Sequence, residues 1–104
     1  MGIKRYKLRI LPLFEDDLND IVDHITFELK NPKAAMDLVN DIEKAINERL
    51  NFAESFEQYP SNVEREHPYY RIKVKNFLIF YIVIGDVMEG RRVVYSRRNI
   101  PEII

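Results

Sequence analysis

The chain has 104 residues, a net charge of −1 and no cysteine. This length suits one domain, and the lack of cysteine excludes a disulfide framework and a thiolate metal site. Apolar residues make up 46% and charged residues 32% of the chain, which excludes a disordered protein. No apolar run reaches the roughly 18 residues of a membrane-spanning helix. We therefore expect a single domain over residues 1–104, located in the cytoplasm, without a metal, a cofactor or a membrane partner.

Acidic and basic residues are separated along the chain. Residues 4–9 carry four bases and no acid, residues 14–57 carry 12 acids and four bases, and residues 58–104 carry five acids and eight bases. One interpretation is a basic face that meets a polyanion or an acidic partner. The other is a solvated surface on which charge is unevenly distributed.

The N-terminal region predicts a strand followed by a helix. Residues 3–11 alternate between apolar and basic side chains, which indicates a strand. Pro12 ends that strand, because proline cannot donate to a strand ladder. Residues 14–29 have apolar side chains at spacings of three and four, which predicts a helix with one apolar stripe. The stripe consists of Phe14, Leu18, Ile21, Val22, Ile25 and Leu29. We expect the acidic residues Glu15, Asp16 and Asp17 in its first turn, where they suit the helix dipole.

A second helix is predicted to start at Asn31 and Pro32. Asparagine is a favourable N-cap, and proline suits the first helical position. This helix is expected to run to about Ala53, with apolar residues again on one side. The two helices should form an antiparallel hairpin that packs on a sheet.

The second half of the chain predicts a three-stranded meander. Residues 69–75 alternate, with Arg71, Lys73 and Lys75 on one face. Residues 77–84 are apolar throughout, as in a strand that is covered on both faces. Asparagine tolerates positive φ, so a two-residue turn fits between these strands. A third strand is expected over residues 91–98, after turns that include Glu89 and Gly90. The predicted fold is therefore α+β, with an antiparallel sheet, a helical hairpin on one face and an exposed basic opposite face.

The connection before the meander is expected to pack on the core through Phe56 and Tyr59. Residues 62–66 are predicted to add a short edge strand. Tyr69 or Tyr70 is expected at the rim of the basic face, where an aromatic ring could stack on a base.

Several residues are candidates for binding a phosphate group or a macromolecular target. Three cations on one strand face, without an acid between them, favour binding over a merely solvated face. His67 precedes this strand and lies within reach of a ligand. The two histidines lack partners at metal-ligand spacing, so no metal site is expected. The complete set of candidates is Arg71, Lys73, Lys75, Arg97, Arg98 and His67.

The sequence resembles the RelE/ParE toxins of bacterial type II toxin–antitoxin systems, also called plasmid stabilisation proteins. Five phrases carry the resemblance in order: FEDDLNDIVDHI, NPKAAMDLVNDI, FEQYP, YRIKVKNFLIFYIV and VVYSRRNIPEII. The resemblance implies the same helix-hairpin-on-sheet fold and a growth-inhibiting toxin. It also implies a cognate antitoxin as partner, in a heterotetramer or a larger complex.

The family has two branches with different targets. The ribonuclease branch enters the ribosome and cuts mRNA, and Arg71, Lys73 and Arg98 match basic residues at its active site. An arginine expected after the central turn is replaced by Leu78, and the C-terminal tail lacks the usual tyrosine or histidine. The interpretation that fits better is the ParE branch, which poisons DNA gyrase. A ribosome-dependent endoribonuclease and a degenerate non-toxic binding partner remain the alternatives, so enzymatic activity stays open.

Overall fold

The computed structural model describes residues 5–60, 66–98 and 100, and these form a four-stranded sheet with two helices on one face. The elements are β1 (Lys7–Ile10), α1 (Pro12–Asp23), a π-helical turn (His24–Glu28), α2 (Pro32–Arg49), β2 (Tyr70–Val74), β3 (Phe77–Ile84) and β4 (Val87–Tyr95). The strand order is β1-β4-β3-β2. Strands β2, β3 and β4 form the expected antiparallel meander, and β1 lies parallel to β4. The predicted α+β fold is confirmed, in a sheet that is mixed rather than wholly antiparallel.

The helical hairpin forms where the sequence predicts it. The side chain of Asn31 accepts a hydrogen bond of 3.1 Å from the backbone N–H of Ala34, and Pro32 begins α2. The first helix starts at Pro12, earlier than predicted, because proline is also suited to the first helical position. Asp17 therefore lies beyond the first turn. No helix in the described part of the chain is long and apolar enough to span a membrane.

The end of the first helix departs from the predicted stripe. The backbone N–H of Leu29 donates to the carbonyl of His24, five residues earlier, as in a π-helix. The wider turn contains an extra residue. Side chains three and four positions apart therefore no longer lie on the inward-facing side of the helix. Leu29 is 60% exposed, and its predicted place in the core is wrong.

The main core lies between the helices and the sheet. Ile72 and Val74 of β2 face the helices, as predicted, and Ile79 and Tyr81 of β3 are fully buried beside them. Gly90 of β4 allows the close approach of β1 and α1, since a Cβ there would lie 2.8 Å from Cδ1 of Ile10 and 3.1 Å from the ring of Phe14. The other buried residues of this cluster include Phe14, Leu38, Ile42, Ile46, Leu50, Met88 and Val93.

The opposite face of the sheet, called the outer face below, carries a second apolar cluster. Phe80 and Ile82 are its centre, which confirms that β3 is covered on both faces. Tyr69, Val94 and Ile100 complete the buried part, and Tyr59 and Leu78 pack against it. The expectation of a uniformly exposed basic face is therefore wrong, because the middle of this face is apolar and covered.

The aromatic residues near β2 pack instead of forming a rim. Tyr70 stacks on Tyr81 with ring centroids 5.3 Å apart, and the ring of Tyr69 meets Phe80 edge-on at 6.0 Å. Both tyrosines are buried, so their predicted position at an exposed rim is wrong. Tyr59 does pin the connection, with its ring 5.1 Å from Phe80.

Two details of the connections differ from expectation, and a third lies outside the described residues. Phe56 is 47% exposed and packs under the guanidinium of Arg49, 3.5 Å from the ring centroid, instead of entering the core. The predicted edge strand over residues 62–66 lies outside the described residues, apart from Glu66, which is in a bend. In the turn between β2 and β3, it is Lys75 that adopts the positive φ, at 53°.

Candidate functional site

Two of the predicted binding residues lie together on the outer face. Arg71 and Lys73 alternate with the buried residues of β2, and both side chains are exposed. The guanidinium of Arg71 lies 5.2 Å from the ring centroid of Tyr59, a cation–π distance. Because the other face of β2 packs in the core, Arg71 and Lys73 both point toward solvent.

Lys75 is separated from this pair. Its Nζ lies 3.3 Å from Oδ2 of Asp41 in α2, on the helix side of the sheet. Strand alternation placed Lys75 beside Lys73, but the positive φ of the turn redirects the chain at this residue. The expected run of three cations on one face is therefore a pair.

Arg97 and Arg98 lie in the turn that follows β4. The backbone N–H of Arg98 donates to the carbonyl of Tyr95 at 3.0 Å, so strand alternation has ended there. Arg98 lines an open cleft of about 770 Å³, together with Asp20 of α1 and His24 of the π-helical turn. Arg97 is exposed in the same turn. Arg98 thus borders a cleft against α1, whereas Arg71 faces outward from β2.

His67 lies in the connection that leads into β2. Its Nε2 is 3.9 Å from Oε1 of Glu66, and its side chain is 36% exposed. Among residues 5–60, 66–98 and 100, no group of three His, Asp or Glu side chains is arranged to hold a metal ion. A binding role for any of the six candidate residues stays a prediction.

The sequence-based reasoning missed an ion cluster on the outer face. Glu89 is only 4% exposed, and its two carboxylate oxygens meet Nη1 of Arg9 at 3.1 Å and Nη1 of Arg91 at 2.8 Å. Burial would raise the pKa of Glu89, but the hydrogen bonds and charges of Arg91 and Arg9 outweigh burial and leave that pKa lowered. The hydrogen bond to Glu89 in turn raises the pKa of Arg91.

This omission has one local and one long-range reason. Glu89 and Gly90 look like turn residues in the sequence, yet β4 begins at Val87 and includes both. The alternation of β1 did place Arg9 with the other basic residues of its strand. The sequence does not predict the parallel pairing of β1 with β4, which places Arg9 beside Glu89.

A second ion pair covers the part of the β4 edge that does not pair with β1. Asp17 accepts hydrogen bonds from Nε of Arg92 at 2.7 Å, from its Nη2 at 3.1 Å, and from the backbone N–H of Val93 at 3.0 Å. The hydrogen bond with Asp17 raises the pKa of Arg92 despite partial burial. The expected helix-dipole role of Asp17 is therefore wrong, because its carboxylate caps the sheet edge.

Leu78 stands where the resemblance to the ribonuclease branch implies an arginine. It pairs in register with Lys73 on one side and Val94 on the other, and packs against the outer apolar cluster. An apolar side chain at this point contributes to covering the sheet and offers no donor to a phosphate.

Comparisons with known proteins agree with the fold. Residues 8–100 match the family model for the ParE toxin of the type II toxin–antitoxin system parDE. Among solved structures, the chromosomal ParDE toxin–antitoxin system from P. aeruginosa is similar, with a TM-score of 0.73 and 21% identity. That match covers 90% of this chain and 99% of the other, and it shows a shared fold. No curated protein sequence matches this chain significantly.

Proposed function

Because the chain belongs to the ParE toxin family of type II toxin–antitoxin systems, we propose that it arrests growth by binding DNA gyrase and is neutralised by a cognate antitoxin. The observation that carries this proposal is the family match, which runs from β1 to Ile100 and so includes every described strand and helix. The toxin and its antitoxin together would stabilise the plasmid that encodes them.

The outer face is the surface that we assign to the target. The helices cover most of the other side of the sheet, so the outer face is the side on which strand residues are most open to a large partner. Its exposed groups are mainly cationic, with Arg71 and Lys73 on β2 and Arg9 and Arg91 near the opposite edge. Exposed charge of one sign speeds the encounter with an oppositely charged partner and makes binding sensitive to salt.

Ribosome-dependent cleavage of mRNA is the alternative, and two observations favour gyrase over it. RNA cleavage needs cations at the scissile phosphate and an acid–base pair at the ribose. Leu78 replaces one expected cation. Of the three matching residues, Arg71 and Lys73 lie on the outer face, whereas Arg98 lines the cleft against α1.

The helical hairpin offers a different kind of surface, which we assign to the antitoxin. The four most exposed large apolar side chains of the described residues lie on it: Phe27 (71%), Met36 (67%), Leu29 (60%) and Leu13 (49%). Exposed apolar groups of this size usually mark a protein partner. An antitoxin that covers them would form the heterotetramer or larger complex that the family implies.

A paired assay tests the target. Purified toxin should inhibit DNA supercoiling by gyrase and leave a translating mRNA intact in toeprinting. Cleavage within A-site codons, together with normal supercoiling, would establish the ribonuclease alternative instead. Expression without the antitoxin should stop growth, and coexpression should restore it. Harmless expression of the folded protein would indicate a degenerate binding partner.

The antitoxin surface has its own test. Replacing Phe27 and Met36 by serine should weaken the toxin–antitoxin complex in a binding assay, because both side chains are exposed in the free toxin and add little to its core. The matched change of two exposed lysines on α2, Lys33→Ser with Lys44→Ser, should leave the affinity nearly unchanged. Equal affinities of all three proteins would exclude the hairpin as the antitoxin surface.

A further inference from the structure

The ion cluster of the outer face combines a hidden carboxylate with two accessible guanidinium groups. The side chain of Glu89 is 6% exposed, whereas that of Arg9 is 56% and that of Arg91 is 36% exposed. The negative charge is therefore covered by the two positive charges that it holds. Two arginines against one carboxylate leave a surplus of one positive charge facing solvent.

Glu89 also fixes the positions of the two guanidinium groups. Each guanidinium has five N–H donors. Glu89 accepts from one nitrogen of each arginine, and Arg91 also has a hydrogen bond with Tyr69. Further donors on both groups stay available to a ligand. Because the side chains are already ordered, an anion that binds both loses less conformational entropy than it would with free arginines.

Further cations lie on the same face, two strands away. Strands are about 4.8 Å apart, so Arg71 and Lys73 of β2 are about 10 Å from β4. Phe80 of β3 pairs with Arg71 of β2 on one side and with Arg92 of β4 on the other. Arg91 is the neighbour of Arg92 in the chain. Cations spaced across a sheet suit a ligand with many phosphates better than a single small anion.

The apolar residues of this face argue for nucleic acid over an acidic protein. Protein interfaces have an apolar core with aromatic anchors. Here Phe80, Ile82 and Tyr69 are already buried, and the most exposed apolar side chains lie on the helical hairpin. Interfaces with nucleic acid are more polar and strongly positive, as this face is.

We propose that Arg9 and Arg91, positioned by Glu89, clamp the phosphate backbone of a nucleic acid on the outer face. The inference goes beyond the proposed function, because it gives the outer face a nucleic-acid ligand in addition to gyrase. Phosphate contacts carry no base specificity, so binding should be largely independent of sequence.

Fluorescence anisotropy with a labelled DNA duplex of about 20 base pairs tests the clamp directly. The wild-type protein should bind, with an affinity that falls between about 50 mM and about 200 mM NaCl. The double change Arg9→Gln with Arg91→Gln should reduce the slope of log K against log salt by about 2, since each lost phosphate contact removes about 0.9. A single-stranded RNA in a parallel arm shows whether DNA or RNA supplies the phosphates.

Two control variants keep the test interpretable. The double change leaves Glu89 without its partners, so a triple variant that adds Glu89→Gln removes the buried charge and should show the same loss of binding while folded. Lys33→Gln with Lys44→Gln removes two positive charges from α2 and should change the slope little. An equal loss in this control would show a general charge effect and overturn the clamp.

Failure of the clamp and failure of the proposed function are distinguishable. The anisotropy assay requires neither gyrase nor growth arrest. A wild-type protein that inhibits supercoiling but binds neither nucleic acid would overturn the clamp alone. Binding to a poly-glutamate peptide without binding to DNA or RNA would also overturn it, and would assign an acidic protein to this face. DNA binding without gyrase inhibition would support the clamp and refute the proposed target.

Discussion

The two faces of the sheet are formed by the same strands but differ in their side chains. On β2, Tyr70, Ile72 and Val74 pack under the helices, while Arg71 and Lys73 point to solvent between them. The helix side is closed by the hairpin, and its apolar groups form one continuous core. The outer side has a covered apolar centre with cations at both margins. One alternating sequence thus packs a core on one face and presents cations to solvent on the other.

Each face also contains a buried polar group, and the two are satisfied differently. On the helix side, the hydroxyl of Tyr81 donates to the carbonyl of Ala53 at 2.8 Å and accepts from Arg49 at 2.9 Å. Burial raises the pKa of Tyr81, although Arg49 opposes that shift. On the outer side, Glu89 is satisfied by arginines that stay partly exposed. The first network is closed, whereas the second retains donors for a ligand.

The largest difference between the faces should appear when neighbouring residues of β2 are changed to aspartate. Val74→Asp places a carboxylate in the core without a partner, at a cost of several kcal/mol, and should abolish cooperative unfolding. Lys73→Asp, one residue earlier, should change stability by less than about 0.5 kcal/mol. Thermal melting followed by circular dichroism measures both. Similar melting temperatures for the two variants would refute this division of the faces.

A smaller and pH-dependent effect is expected for Glu89→Gln. We expect the free energy of unfolding to fall by about 2 kcal/mol at neutral pH, because two charge-assisted hydrogen bonds are weakened. The pKa of Glu89 is lowered in the folded state, so its ionisation stabilises the fold above the ordinary pKa of 4.5. That contribution is lost as pH falls through the folded-state pKa. The stability gap between wild type and variant should therefore shrink between about pH 5 and about pH 2.

Urea denaturation across this pH range measures the gap. The control is Glu57→Gln, which changes an exposed carboxylate and should leave stability within about 0.5 kcal/mol. A gap for Glu89→Gln that stays constant or widens in acid would show that Glu89 is not held ionised by its two arginines.

The smallest effect is expected from the closed network on the helix side. Tyr81→Phe removes one hydroxyl and leaves the carbonyl of Ala53 and one N–H of Arg49 unpaired, at a cost of about 1–2 kcal/mol. Tyr95→Phe, at a half-exposed site, should cost less than about 0.5 kcal/mol. Equal midpoints of urea unfolding for the two variants would mean that water replaces the Tyr81 contacts without loss.

Elements marked by local chemistry could be predicted from the sequence. Asn31 and Pro32 determine the break between the helices through a cap and a fixed φ, which both depend on the nearest residues. The period of two on β2 and the unbroken apolar run of β3 give the two faces of the sheet. In each case the signal and the structure lie in the same short segment.

Features that depend on distant contacts could not be predicted. Gly90 resembles a turn residue, but it is in a strand because Ile10 and Phe14 approach it closely. Lys75 leaves the outer face to pair with Asp41, a residue that is 34 positions away in the chain. The same holds for the ion cluster around Glu89, which exists only because β1 and β4 are neighbours. The exposed positions of Arg71 and Lys73 could thus be predicted, whereas the cluster around Glu89 could not.

The most direct test of the outer face as the target-binding surface is inhibition of gyrase supercoiling by charge-reversed variants. Arg71→Glu with Lys73→Glu should remove inhibition while circular dichroism and melting remain close to wild type, because both side chains are exposed. The matched change Lys33→Glu with Lys44→Glu on α2 should keep full inhibition. A folded outer-face variant that inhibits gyrase as strongly as the wild-type protein would contradict the assignment.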